Sequence, residues 1–156
     1  MAIENFPSNC SSQISAISFD YGTHRIGVAF GQSISITTRS IVILKAKDGI
    51  PDWDIVRNLV EEWKPDVFVV GMPYNTDGTD GELLPRAQKF ANRLYGRFGI
   101  AAFGMDEHLS SKSAITRVSE QNISAKKSAA IDDIAAQIIL ESWLEGYRER
   151  SSKILK

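Results

Sequence analysis

Three acids far apart in the chain, Asp20, Glu107 and Asp132, stand where carboxylates can act on a ligand. Asp20 ends a short apolar run, Ser15 to Phe19, and Gly22 and Thr23 follow it. Glu107 comes just after a second run, Ile100 to Met105. Ligands of α/β sheets collect at such strand ends. Taken singly, either acid reads more readily as a turn or helix cap, and neither position is diagnostic alone. Asp132 is more telling. Projected at roughly 100° per residue, it shares an arc with Ala135, Ala136, Ile139 and Trp143, whereas Asp133 points with Gln137 and Glu141. A carboxylate facing a core needs a partner or a cation, and no Lys or Arg stands one turn away; the dipole of the helix N-terminus is the competing reason for an Asp there. Three such acids at one place would repel unless cations lay between them. An all-oxygen donor set suits Mg²⁺ or Mn²⁺, and two such ions ~4 Å apart can hold an attacking water and a departing oxygen in line. Zinc is disfavoured, because His24, His108 and Cys10 fall at no ligand spacing.

The elements that must position these acids follow from periodicity. Ser15 to Phe19 and Ile26 to Phe30 read as a hairpin with a polar tip, and Ser35 to Leu44 as a third strand suited to an edge, ending in the turn-rich Lys47, Asp48, Gly49 and Pro51. A helix is predicted from about Asp52, with Trp53, Val56, Leu59, Val60 and Trp63 on its apolar side and Lys64–Pro65 as its stop. Val67 to Val70 reads as a fully buried strand. Pro85 opens a second helix that Gly99 closes, with Leu84, Ala87, Ala91, Leu94 and Phe98 on one face. Ile100 to Met105 is a fifth strand, followed by a helix from about Ser110 to Glu120 and a last helix from about Ile131 to Arg148. Three strands in hairpins, then two each preceded by a helix, describe a mixed five-stranded sheet with helices on its faces, an α/β layering. Trp53 and Trp63 are expected in the core.

Composition bounds the rest. With 156 residues and 43% apolar composition, one domain is the default. It is expected over residues 14–149, between a flexible leader (1–13) and a tail (150–156). The formal net charge of −1 removes a global pull toward nucleic acid or anionic membrane, so a polyanion must be gripped locally. No window approaches the ~18 apolar residues of a membrane span. Cys10 alone cannot form an internal disulfide. A cytoplasmic location without membrane contact is the expectation; oligomeric state leaves no signature.

Local grip has several candidates. Arg86, Lys89, Arg93 and Arg97 recur at helical spacing opposite the apolar face of the second helix, and Lys126 and Lys127 precede the Asp132 helix. A solvated stripe is the commoner meaning of such a pattern. The loop from Asn75 to Thr79 and the turn at Gly22 and Thr23 offer hydroxyl, amide and backbone donors, although turn chemistry alone accounts for them. Arg25 lies directly after the Asp20 turn.

Phe19 to Ala29 (FDYGTHRIGVA), Val70 to Thr79 (VGMPYNTDGT), Arg86 to Phe98 (RAQKFANRLYGRF), Asp106 to Ser110 (DEHLS) and Ile131 to Leu140 (IDDIAAQIIL) resemble, in order, the motifs of the YqgF or RuvX family of RuvC-like Holliday junction resolvases. The resemblance implies an RNase H-like fold, divalent-metal nuclease chemistry, and maturation of the 5′ end of pre-16S rRNA, with branched DNA as the other substrate. It carries the catalytic and metal-binding acids onto Asp20, Glu107 and Asp132, the residues singled out above. One departure stands out: the family has Arg after the Glu, where this chain has His108. Imidazole is mostly neutral near pH 7, so phosphate contact there is expected to be weaker or pH-dependent. Thr23, Arg25, Asn75, Thr79, Arg86, His108, Lys126 and Lys127 are the expected nucleic-acid contacts. Two other classes remain open. Asp20 to Thr23 (DYGT) also resembles the phosphate loop of actin-like ATPases and sugar kinases, which clasp nucleotide between two such domains. A non-catalytic protein that binds RNA or transcription machinery would keep the fold without the cleavage.

Overall fold

The computed structural model describes residues 3–8, 13–73, 82–106, 112–124 and 131–154, with side chains at all of these except 122–124, 131–133 and 152–154. In chain order the elements are β1 (Ser15–Asp20), β2 (Arg25–Gln32), β3 (Thr38–Lys47), β4 (Ile50–Pro51), α1 (Trp53–Trp63), β5 (Val67–Met72), α2 (Leu83–Phe98), β6 (Ala102–Asp106), α3 (Lys112–Ser124) and α4 (Ile131–Ile154). The strands form one sheet in the order β4-β3-β2-β1-β5-β6. β1 pairs antiparallel with β2 and parallel with β5, and β5 pairs parallel with β6.

The sheet therefore has six strands where the apolar runs predict five. The additional one, β4, is two residues long and ends in proline, too short to show a period. It exists because Asp48 (φ 51°) and Gly49 (φ 81°) take the two successive positive φ angles of a tight hairpin turn, setting Lys47 opposite Ile50. β3 begins at Thr38 rather than Ser35, since Ile36 is left-handed (φ 53°) and its N–H donates to Gln32 O at 3.1 Å. Helix ends follow their caps. Asp52 accepts from Asp54 N at 3.0 Å, and left-handed Lys64 ahead of Pro65 stops α1. Gly99 (φ 67°) closes α2, its N–H donating to Tyr95 O.

Side-chain alternation divides the sheet into two covered faces. Ile17, Phe19, Tyr21, Ile26, Val28, Phe68 and Val70 pack under α1 and α2. Ala16, Ala29, Val67, Val69 and Phe103 pack under α4, against Ala136, Ile139, Leu140, Trp143 and Leu144. Trp53 and Trp63, expected in the core, lie half-buried at the margin of the first cluster.

α4 runs past Arg148 to Ile154 and differs from expectation in a second way. The side carrying Gln137 and Glu141, which points away from its apolar arc, is buried, at 2% and 1% exposure. Gln137 donates to Thr38 O, Thr38 Oγ1 donates to Glu141 Oε2 at 2.6 Å, and Arg117 of α3 pairs with both Glu141 and Glu145 at 2.7 Å. Residues 3–8, within the predicted leader, lie against this layer. Gly104 N donates to Glu4 O at 2.8 Å, Trp143 Nε1 donates to Asn5 O at 2.7 Å, and Phe6 stacks on Trp143 with the Arg150 guanidinium over its ring.

Candidate active site

Strand direction gathers the candidate residues at one edge. β1, β3, β5 and β6 run the same way, since β2 is antiparallel to both β1 and β3. Their carboxyl ends, Asp20, Lys47, Met72 and Asp106, thus share an edge, and β2 begins there with Arg25. β6 ends at Asp106, two strand spacings from β1, or about 10 Å across the sheet.

α4 comes to the same edge from the other direction. Ser18 Oγ donates to Ala136 O at 2.7 Å. Farther along the helix, Leu140 lies against Gly31, which pairs with Ala16 near the start of β1. The helix therefore runs antiparallel to β1, and its first turn, which contains Asp132, sits over the carboxyl end of that strand. Asp20 is two residues beyond Ser18, about 7 Å; residue 132 is one turn before Ala136, about 6 Å in the same direction. Asp20 shares the parity of Ser18 and so belongs to the α4 face. The backbone brings β1's last residue and α4's first turn together.

The turn after Asp20 is tied down by its backbone. A Cβ on Gly22 would overlap the Arg25 carbonyl oxygen, so only glycine lets the loop close this tightly. Thr23 O accepts from Gly49 N at 2.9 Å, and His24 O accepts from Ala46 N at 2.8 Å. These bonds fix Thr23 and exposed Arg25 at the carboxyl edge of the sheet. Arg86, in the first turns of α2, reaches the same edge and pairs with Asp48 at 2.8 Å. Hydrogen bonding to Asp48 raises the Arg86 pKa further above its usual value. Burial raises that of Tyr21; Asp48 adds to this, while Arg86 and Arg93 oppose it.

Of the other expected contacts, Glu107, His108, Asn75, Thr79, Lys126 and Lys127 lie outside the described residues, as does the side chain of Asp132. Among the described residues no three His, Cys, Asp or Glu side chains form a metal cluster; two of the three proposed ligands are not in that set. The donor chemistry fits a hard cation nonetheless, being carboxylate throughout. Sequence reasoning passed over Ser18, which registers α4 on β1, and Asp48, which holds Arg86. The Asp-Gly pair was a turn signal for the second; a serine within a buried strand carried no signal for the first.

The chain matches the RuvX family, described as Holliday junction resolvase, over residues 14–146. It is 47% identical over 133 residues to a protein of Haemophilus influenzae named "Putative pre-16S rRNA nuclease", covering 85% of this chain and 96% of that one. A protein of the same name from Pectobacterium atrosepticum is 49% identical over 130 residues, covering 83% and 94%. Among solved structures it is similar to RuvC of T. thermophilus in complex with Holliday junction substrate (TM-score 0.58, 13% identity, 88% of this chain and 97% of that one). It is also similar to the yeast mitochondrial Holliday junction resolvase Ydc2 (TM-score 0.52, 13% identity, 94% and 87%). At that identity the likeness shows the fold, which is RNase H-like. With its motifs, its sheet order and close relatives over most of its length, the chain belongs to the RuvX family, also called YqgF.

Proposed function

We propose that this protein is a divalent-metal-dependent nuclease that hydrolyses phosphodiester bonds at the carboxyl edge of its sheet, with pre-16S rRNA as substrate. The observation that carries this reading is the antiparallel seating of α4 on β1 through Ser18 and Ala136, which brings the backbone of residue 132 to the edge that Asp20 ends. Family membership and the name shared by close relatives support the substrate. β6 ends at the same edge with Asp106, the residue before Glu107 in the sequence.

In this mechanism Asp20, Glu107 and Asp132 hold Mg²⁺ or Mn²⁺, which supplies Lewis acidity toward the phosphoryl group and the attacking water. Asp20, set at the end of a central strand, gives the site a rigid ligand. The first turn of α4 adds the positive end of its dipole to a cluster of like charges. Thr23 and Arg25 flank Asp20 and orient the scissile phosphate, Arg25 as a two-pronged donor. Asn75, Thr79, His108, Lys126 and Lys127 join as phosphate contacts by their place in the sequence. Hydrolysis adds water across the phosphodiester; the 3′-oxygen leaves with a proton, and a 5′-phosphate remains.

The test uses purified protein with Mn²⁺ on an RNA carrying the 16S 5′ leader and, separately, on a four-way DNA junction. Wild type is expected to cut the RNA, while Asp20→Asn retains its thermal melt and loses cleavage by at least about a hundredfold. Full metal-dependent activity in Asp20→Asn would refute the site. Cutting of the junction alone would make the substrate branched DNA.

A further inference from the structure

Beside Asp20, on the opposite face of the sheet, lies a cleft of about 200 Å³ lined by Tyr21, Asp48, Arg86, Lys89, Phe90 and Arg93. We propose that this cleft is a second phosphate seat, which takes the nucleic-acid backbone at a position away from the cut, with Asp48 holding Arg86 in the phosphate's place until the strand arrives. The identity of the ligand as a nucleic acid rests on the nucleolytic reading above; the anion chemistry of the cleft does not.

The location comes from strand order. Tyr21 follows Asp20 but has the opposite parity, so a strand crossing the carboxyl edge passes from the α4 side over the Asp20 turn onto α2. The charge is local. Among the described residues that line it, three cations meet one acid, in a chain whose formal net charge is −1. A plain solvated stripe would look different. Arg97, the fourth member of the series, lies with its guanidinium 4.4 Å from the Trp53 ring centroid, outside the cleft. Lys89 and Arg93 have no acid within ion-pair distance among the described residues.

The floor is built rather than incidental. Tyr21 is only 8% exposed and packs on Phe90 with ring centroids 5.2 Å apart. Gly49 lies so close to the Tyr21 hydroxyl that a Cβ there would overlap it, which joins the β3–β4 turn to the ring. Its phenol O–H can donate to a phosphate oxygen. The Arg86–Asp48 pair is exposed on both sides, at 49% and 76%. Such a pair contributes little to stability, so exchanging Asp48 for a phosphodiester is cheap, and guanidinium suits either oxyanion.

The test is fluorescence anisotropy of a labelled single-stranded RNA of about 20 nucleotides, titrated with the full chain in EDTA over a range of salt. Lys89→Ala/Arg93→Ala is expected to bind about tenfold more weakly at low salt, with the slope of log affinity against log salt smaller by about 1.4. Asp48→Asn frees Arg86 and is expected to bind about threefold more tightly at low salt. Lys112→Ala/Arg148→Ala removes the same charge from exposed positions on other helices and is expected to stay within about twofold of wild type. The proposal is overturned if the Lys89/Arg93 variant binds no more weakly than this control, or if Asp48→Asn gives no gain. Because binding is read without metal, absence of cleavage in Mn²⁺ bears on Asp20 and its partners, and these titrations bear on the cleft alone.

Discussion

Beneath α1 and α2 the sheet is held by interlocking rings: Phe19 meets Phe68 and Phe90 edge-on at 5.8 and 5.3 Å, and Trp53 stacks on Phe90 at 5.7 Å. Beneath α4 the apolar contacts are interleaved with directed polar ones, from Ser18 to Ala136, Thr38 to Glu141 and Gln137 to Thr38 O. Dispersion and burial are non-directional, so a ring-packed helix can slide by a fraction of a turn at modest cost. A hydrogen bond of 2.7 Å cannot follow such a slide. The helix that carries Asp132 is thus the one whose position along its axis is pinned.

The largest effect is expected on the ring-packed face. Phe68 is wholly buried at the centre of the sheet, and Phe68→Ala should cost about 3–5 kcal/mol through lost transfer energy and a cavity, measured by urea unfolding. A cost near 1 kcal/mol would mean that the face collapses around the gap. On the other face, Glu141→Ala leaves buried Thr38 without its side-chain acceptor and Arg117 with only Glu145, and should cost about 2–4 kcal/mol. Glu145 binds the same arginine but lies nearer solvent, with 26% of its side chain exposed. Glu145→Ala should therefore cost less than about 1 kcal/mol. Equal losses at 141 and 145 would remove the distinction between a buried acceptor and an outlying one.

How much of this was legible depended on whether the signal was local. Both ends of α1 and the end of α2 are written at Asp52, Lys64 and Gly99, each acting on its own helix end, and they emerged where expected, whereas α2 begins at Leu83, two residues ahead of Pro85. The all-buried β5 showed as an apolar run. Asp20 and its Gly22 turn were readable for the same reason. Glu141 was not: its partners Thr38 and Arg117 are distant in sequence, so on a helical projection it looks like solvent-facing polarity. β4 and the contacts of residues 3–8 are short, aperiodic and dictated by distant partners. For the site, the resemblance pointed to the three acids that strand ends (Asp20, Glu107) and the helical projection (Asp132) had singled out, but the seating of α4 was invisible until Ser18 met Ala136.

Residues 3–8 extend the polar side of the comparison to an edge strand. Glu4 O occupies the Gly104 N–H on the open side of β6, and Asn5 O satisfies the Trp143 indole. Deleting residues 1–12 should cost about 1–3 kcal/mol, from two lost hydrogen bonds and the stacked Phe6 ring, and should shift tryptophan emission to the red as Trp143 meets water. Unchanged emission would show that Trp143 stays covered without the segment. The bared β6 edge would also be open to pairing with another chain, so the truncated protein is expected to associate more readily at high concentration.

The smallest stability change is expected where the functional change is large. Ser18→Ala removes one hydrogen bond to a carbonyl that also belongs to a helix, so unfolding should shift by only about 1 kcal/mol. That bond nonetheless fixes the start of α4 relative to Asp20, and a displacement near 1 Å between the groups proposed to share a ligand can reduce turnover by about a hundredfold. Ser18→Ala is therefore expected to lower kcat by roughly tenfold or more while leaving the salt dependence of RNA binding unchanged. Ser142→Ala, at a buried position of the same helix two turns away, should have a similar effect on stability and little on kcat. If both serines lower kcat in proportion to the stability they remove, α4 serves as packing alone, and the alignment of the two acids has some other origin.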